Sequence, residues 1–159
     1  MATKPSSVQP KSGPKEPAKG NPWKVDVLVV LDPASRTFRF ETDDLPLGPD
    51  NELTFHNRGY PGFIITFRLK EPRHGYLFPE NLDEALFSVD RPECPTSHGQ
   101  WRQFKAKAVT ENGKNLVVRN QNKDKIRFGF TLRVTNDRGA TFWNLDPIAG
   151  NENGNWDLA

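Results

Sequence analysis

At 159 residues the chain has room for one hydrophobic core and a tail, and 35% hydrophobic residues with 14 prolines and 12 glycines exclude a core running through every segment. Charge argues against a dedicated duplex-binding domain: five lysines against Glu16 give residues 1–24 a charge of +4, whereas the 17 basic and 19 acidic residues that follow give −2, so the pI of 8.7 reflects a basic tail on a mildly acidic domain. A single cysteine, Cys94, excludes an intrachain disulfide, and no apolar run is long enough for a signal-peptide core or a membrane span, which predicts a soluble cytoplasmic protein with no membrane partner.

Residues 1–24 hold Pro5, Pro10, Pro14, Pro17 and Pro22 among Lys4, Lys11, Lys15, Lys19 and Lys24, with no apolar period. Such a stretch cannot bury enough surface to offset its ordering entropy, so it reads as a disordered Lys/Pro-rich tail. The globular domain is predicted over residues 25–147, and residues 148–159 read as a C-terminal loop or tail.

Within the domain the apolar signal comes as short runs bounded by turn residues, the mark of strands. A valine-rich strand over 25–31 stops at Asp32-Pro33, and a second over 36–42 alternates Phe38 and Phe40 with Arg39 and Glu41. Strands over 52–56 and 63–69 flank the loop Asn57-Arg58-Gly59-Tyr60-Pro61-Gly62. Residues 70–100 contain Pro72, Pro79, Pro92 and Pro95 and one β-like run at 85–89, which predicts a long, partly ordered excursion. Asn112-Gly113 between runs at 104–110 and 115–120 predicts a hairpin, because Asn-Gly accepts the positive φ angles of a tight turn. The clearest alternation spans 124–135, with Phe128, Phe130, Leu132 and Val134 inward and Arg127, Gly129, Thr131 and Arg133 outward. A last strand is predicted over 140–145.

About eight strands with short polar connections, and no helical pattern of ten or more residues, predict an all-β fold: a single antiparallel Greek-key sandwich or small barrel. The strand, loop and aromatic strand over 52–69 resemble the early strands of cupredoxins in layout. That resemblance implies strand arrangement only. Cupredoxins place a copper-binding His in the loop, where this chain reads Pro61-Gly62-Phe63, and a Cys, a second His and usually a Met downstream, whereas after Cys94 and His98 no methionine follows.

The catalytic signatures are missing. There is no Gly-x-Ser-x-Gly elbow, no His-Glu-x-x-His helix and no Gly-rich phosphate loop, so neither an enzyme nor a cofactor is predicted. Cys94, His98, His56 and His74 are four candidate ligands for a tetrahedral zinc site, but zinc motifs usually come as paired ligands of fixed spacing and here one Cys-x3-His pair exists. Three functional expectations remain. The first is a non-enzymatic module for binding a protein partner or a second copy, with Trp156 as a candidate anchor and Trp101 and Trp143 expected in the core. The second is binding of nucleic acid or another polyanion by the tail and a basic sheet face of Lys105, Lys107, Arg119, Arg127 and Arg133, without outward aromatics for base stacking. The third is a metal-binding sandwich.

Overall fold

The computed structural model describes residue 17, residues 20–56 and residues 62–151. Most of the predicted tail, the loop at 57–61 and Trp156 lie outside the described residues. Ten strands form among those described: β1 (Trp23–Asp32), β2 (Thr37–Glu41), β3 (Leu53–Phe55), β4 (Phe63–Leu69), β5 (Leu86–Val89), β6 (Phe104–Thr110), β7 (Asn115–Asn120), β8 (Ile126–Val134), β9 (Trp143–Leu145) and β10 (Ile148–Asn151). One helical turn, α1 (Leu82–Ala85), precedes β5, its first turn capped by the Asn81 side chain on the Asp83 amide.

The strands make two sheets packed face to face, which selects the sandwich over the barrel. The first sheet runs β2-β1-β4-β7-β6 and the second β3-β10-β8-β5, with β9 also on β8. Two pairs correct the expectation of antiparallel pairing throughout: β1 runs parallel to β4, and β3 parallel to β10. Parallel neighbours need a long crossover. Here the other sheet supplies it, since the chain leaves the first sheet after β2, forms β3 in the second, and returns as β4 beside β1.

The boundaries move at both ends. β1 starts at Trp23 rather than residue 25, because Trp23 pairs with Phe63 and its amide donates to Gly62 O at 3.0 Å. Residues 148–151, expected in a loop, form β10 between β8 and β3. β9 and β10 share one edge of β8 without a slip in register: Leu132 faces Leu145 and Gly129 faces Ile148. Between them stand Asp146 and Pro147, where proline removes a ladder donor and divides one run into two.

The inward residues of both sheets interdigitate as a run of rings. Phe40 meets Phe67 at 5.7 Å between centroids, Phe67 meets Phe130 at 5.8 Å, Phe130 meets Phe104 at 4.7 Å, and Phe55 meets Phe63 at 5.2 Å. Such tilted and edge contacts each contribute about 0.5–1.5 kcal/mol beyond the apolar area they bury. Trp143 is buried and Trp101 packs on Phe128 at 5.3 Å, so both serve the core.

Polar groups pin the rims of the sandwich. Asn120 at the end of β7 donates to Asn151 Oδ1 at 2.7 Å, and Asn151 at the end of β10 donates back at 3.3 Å, a reciprocal amide bond between the sheets with both residues buried. The Ser88 hydroxyl donates to Phe104 O at 2.6 Å, joining β5 of one sheet to β6 of the other.

Candidate interaction face

A sandwich can meet a partner through its strand edges, its loops or its two outer faces. The edges are largely occupied. On β2, the Asn51 side chain accepts from the Phe40 amide at 2.7 Å and donates to Phe38 O at 3.2 Å, standing in for a missing strand. Residues 46–48 cover β3, with the Thr54 amide on Pro46 O and the Gly48 amide on Glu52 O. On β5, Ser88 pairs through its backbone with Gly99 and Trp101. The Gln100 side chain accepts from the Ala106 amide on β6 while donating to Leu82 O and Leu86 O. A bulge between Ala106 and Ala108 and the exposed Lys105 and Lys107 further blunt that edge.

The outer face of the second sheet is crossed by its own chain. After β5, residues 91–95 fold back over β8 so closely that a Cβ on Gly129 would collide with the Glu93 carbonyl. Gly129 and Thr131 point outward as the alternation predicts, yet both are buried beneath this strap. The Thr131 oxygen lies 2.8 Å from Pro95 O and 2.9 Å from Asp146 Oδ1, two acceptors for its one proton. Cys94 donates to Asp146 O at 3.2 Å, and burial, then the Asp146 charge, push its thiol pKa up, which disfavours the reactive thiolate. Farther along, His98 and Arg133 both meet Glu84, at 2.8 and 2.6 Å. Those contacts, His98 first, hold the Glu84 carboxyl below its ordinary range. Residues 70–100, expected to be only partly ordered, thus supply α1, β5 and the strap.

The first sheet presents a different outer face. Leu28 and Val30 of β1, Ile64 of β4 and Val117 of β7 point outward and are half-buried. Cross-strand register sets Lys24, Ile64, Arg119 and Lys105 in one row from β1 to β6, and Thr66 joins Asp26 to Val117 in the next. Lys107 is the extra residue of the β6 bulge, beside this row. At the other margin Asp26, Leu28, Glu41, Thr42, Asp43 and Asp44 line a cleft of about 410 Å³. Its carboxylates already have partners: Asp26 binds Arg68 at 3.0 Å, and Glu41 binds Lys70 at 2.8 Å and Arg39 at 2.9 Å, which lower its pKa with Lys70 the larger cause.

The basic face expected from the sequence is therefore divided. Lys105, Lys107 and Arg119 share the first sheet, whereas Arg127 and Arg133 belong to the second. Outward alternation is a property of one strand and does not say which sheet that strand joins. Arg127 is paired with Glu52 at 3.1 Å, and Arg133 lies between the rings of Phe87 and Phe142 while binding Glu84. Lys24 completes the row, and sequence reading placed it in the tail. Phe104, Phe128 and Phe130 are fully buried, so these rings offer no stacking platform beside the charges.

The residues considered for a metal separate. Cys94 is committed to Asp146 and His98 to Glu84, and among the described residues no group of three His, Cys, Asp or Glu side chains could hold an ion. Among those residues, too, no helix is long and apolar enough to cross a membrane. The arrangement defines a two-sheet β-sandwich with mixed pairing, occupied edges and one outer face free of any strap from the described chain. The chain matches no protein-family model and no curated protein sequence.

Proposed function

We propose that this protein is a non-enzymatic binding module of the cytoplasm that engages a protein partner through the outer face of its first sheet. The observation that carries the reading is the contrast between the two faces: the strap at 91–95 covers the second sheet at Gly129 and Thr131 of β8, whereas Leu28, Val30, Ile64 and Val117 stand outward on the first with no strap from the described residues. Apolar side chains grouped on an outer face and rimmed by charge are the composition of a recognition surface. The occupied edges argue against strand addition as the mode of docking.

Charged substitutions on the face test this. Ile64→Glu with Val117→Glu is expected to lower co-purification of a native partner at least tenfold at unchanged melting temperature, while Arg127→Ala on the second sheet retains it. Equal recovery with all three proteins would overturn the reading.

A further inference from the structure

The two halves of the proposed docking face differ in charge. β4, β6 and β7 carry Arg68, Lys105, Lys107 and Arg119 and no Asp or Glu. Lys105 lies directly across from Arg119, which faces Ile64 on its other side, and Ile64 faces Lys24. Like charges in direct cross-strand register oppose folding by a few tenths of a kcal/mol to about 1 kcal/mol, so an opposite charge beside Lys105 and Lys107 would be favoured. The neighbouring carboxylates are engaged elsewhere, Asp26 by Arg68 and Glu41 by Lys70 and Arg39. Among the described residues no carboxylate comes within ion-pair reach of Lys24, Lys105 or Lys107.

We infer that the β4-β7-β6 half of this face receives an acidic segment of a partner protein, a proposal that rests on the docking face proposed above. The ligand class follows from what lies between the charges. Ile64 stands between Lys24 and Arg119 in one row, and Val117 lies two residues from Arg119 on the same face of β7, so the surface offers apolar contact and positive charge in adjacent positions. A polypeptide that mixes Asp or Glu with apolar side chains meets both needs. A phosphate chain would use the lysines and leave Ile64 and Val117 unmatched, and Phe104, Phe128 and Phe130 are buried away from its bases. Cationic residues at the rim act chiefly on association rate and selection of partner, and they are screened by salt.

The full-length protein is titrated with fluorescently labelled poly-L-glutamate, with poly-dT matched to it in charge, and with a labelled peptide alternating Glu and Leu. The Glu/Leu peptide is expected to bind most tightly of the three. Lys105→Glu with Lys107→Glu weakens it at least tenfold at unchanged melting temperature, whereas Arg127→Glu leaves it within twofold. Tighter binding of poly-dT would make a phosphate polymer the occupant and overturn the inference. So would equal binding by the Lys105/Lys107 variant, which would place the anion on the N-terminal lysines, or no binding by the wild type. Each of these failures leaves the Ile64 and Val117 result standing, so the two proposals fail separately.

Discussion

Gly129 on β8 lies directly beneath Glu93, so close that any side chain at 129 would occupy the space of the Glu93 carbonyl, and the Gly129 amide donates to Arg91 O at 2.8 Å. That contact lets residues 91–95 cover β8 at Gly129 and Thr131, whereas the outer face of the first sheet, the proposed docking face, carries no such strap from the described residues. Gly129→Ala is expected to destabilise the protein by about 1–3 kcal/mol, the range for overpacking a tight site, and to lift the strap. Urea denaturation reads the first effect. Faster labelling of Cys94 by a thiol reagent reads the second, and labelling at the wild-type rate would contradict it.

The Thr131 hydroxyl lies beneath the same strap, between Pro95 O and Asp146 Oδ1. Thr131→Val keeps the shape and removes the donor, leaving the buried Pro95 carbonyl without it at about 1–3 kcal/mol. A loss below about 0.5 kcal/mol in denaturant unfolding would mean that the hydroxyl does not hold the strap.

The reciprocal bond between Asn120 and Asn151 ties β7 to β10. Asn151→Leu strands the Asn120 amide in a buried site, and a cost of about 1–3 kcal/mol is expected. Because the two amides form one unit, a double-mutant cycle with Asn120→Leu should return a coupling energy above about 0.5 kcal/mol. Additive losses would mean that the two amides do not act as one unit.

Acid is expected to loosen the turn that Asp137 holds. The Asp137 carboxylate accepts from the Thr141 hydroxyl and amide and from the Thr135 hydroxyl, and these bonds, those from Thr141 foremost, lower its pKa to about 2 from an ordinary 3.8. A pKa depressed in the folded state adds stability that is complete above the unfolded value and lost as pH falls through the folded one. The turn at 136–141 should therefore hold at pH 5 and loosen between about pH 4 and pH 2, read from the Thr141 amide resonance. Asp137→Asn should remove that step, and an unchanged titration in the variant would assign it to another group.

The strands with strict alternation were legible from sequence. Phe128 to Val134 and the turn at Asn112-Gly113 behave as their residues dictate, with Asn112 at φ 57° and Gly113 at φ 91°, and Glu111 also left-handed at 54°. The sequence could not say which sheet each strand joins, because alternation fixes a strand's two faces and not its neighbours. Alternation alone therefore sets Arg127 and Arg133 on one face with Lys105, Lys107 and Arg119, although they belong to the other sheet. β10 was hidden because Ile148-Ala-Gly-Asn151 has little β propensity of its own and is held by β8 and β3. The one signal for the strap was the glycine at 129 within an otherwise bulky strand, a mark of close backbone approach.

The central claim is that the first sheet, and not the second, meets the partner. A photoreactive amino acid placed singly at Val30, Ile64 or Val117, and in parallel at Arg127 or Asn144 on the second sheet, tests it most directly in living cells. Adducts of one common mass from the three first-sheet positions, absent from the other two, are the predicted result. Adducts from Arg127 or Asn144 with none from Ile64 would contradict it.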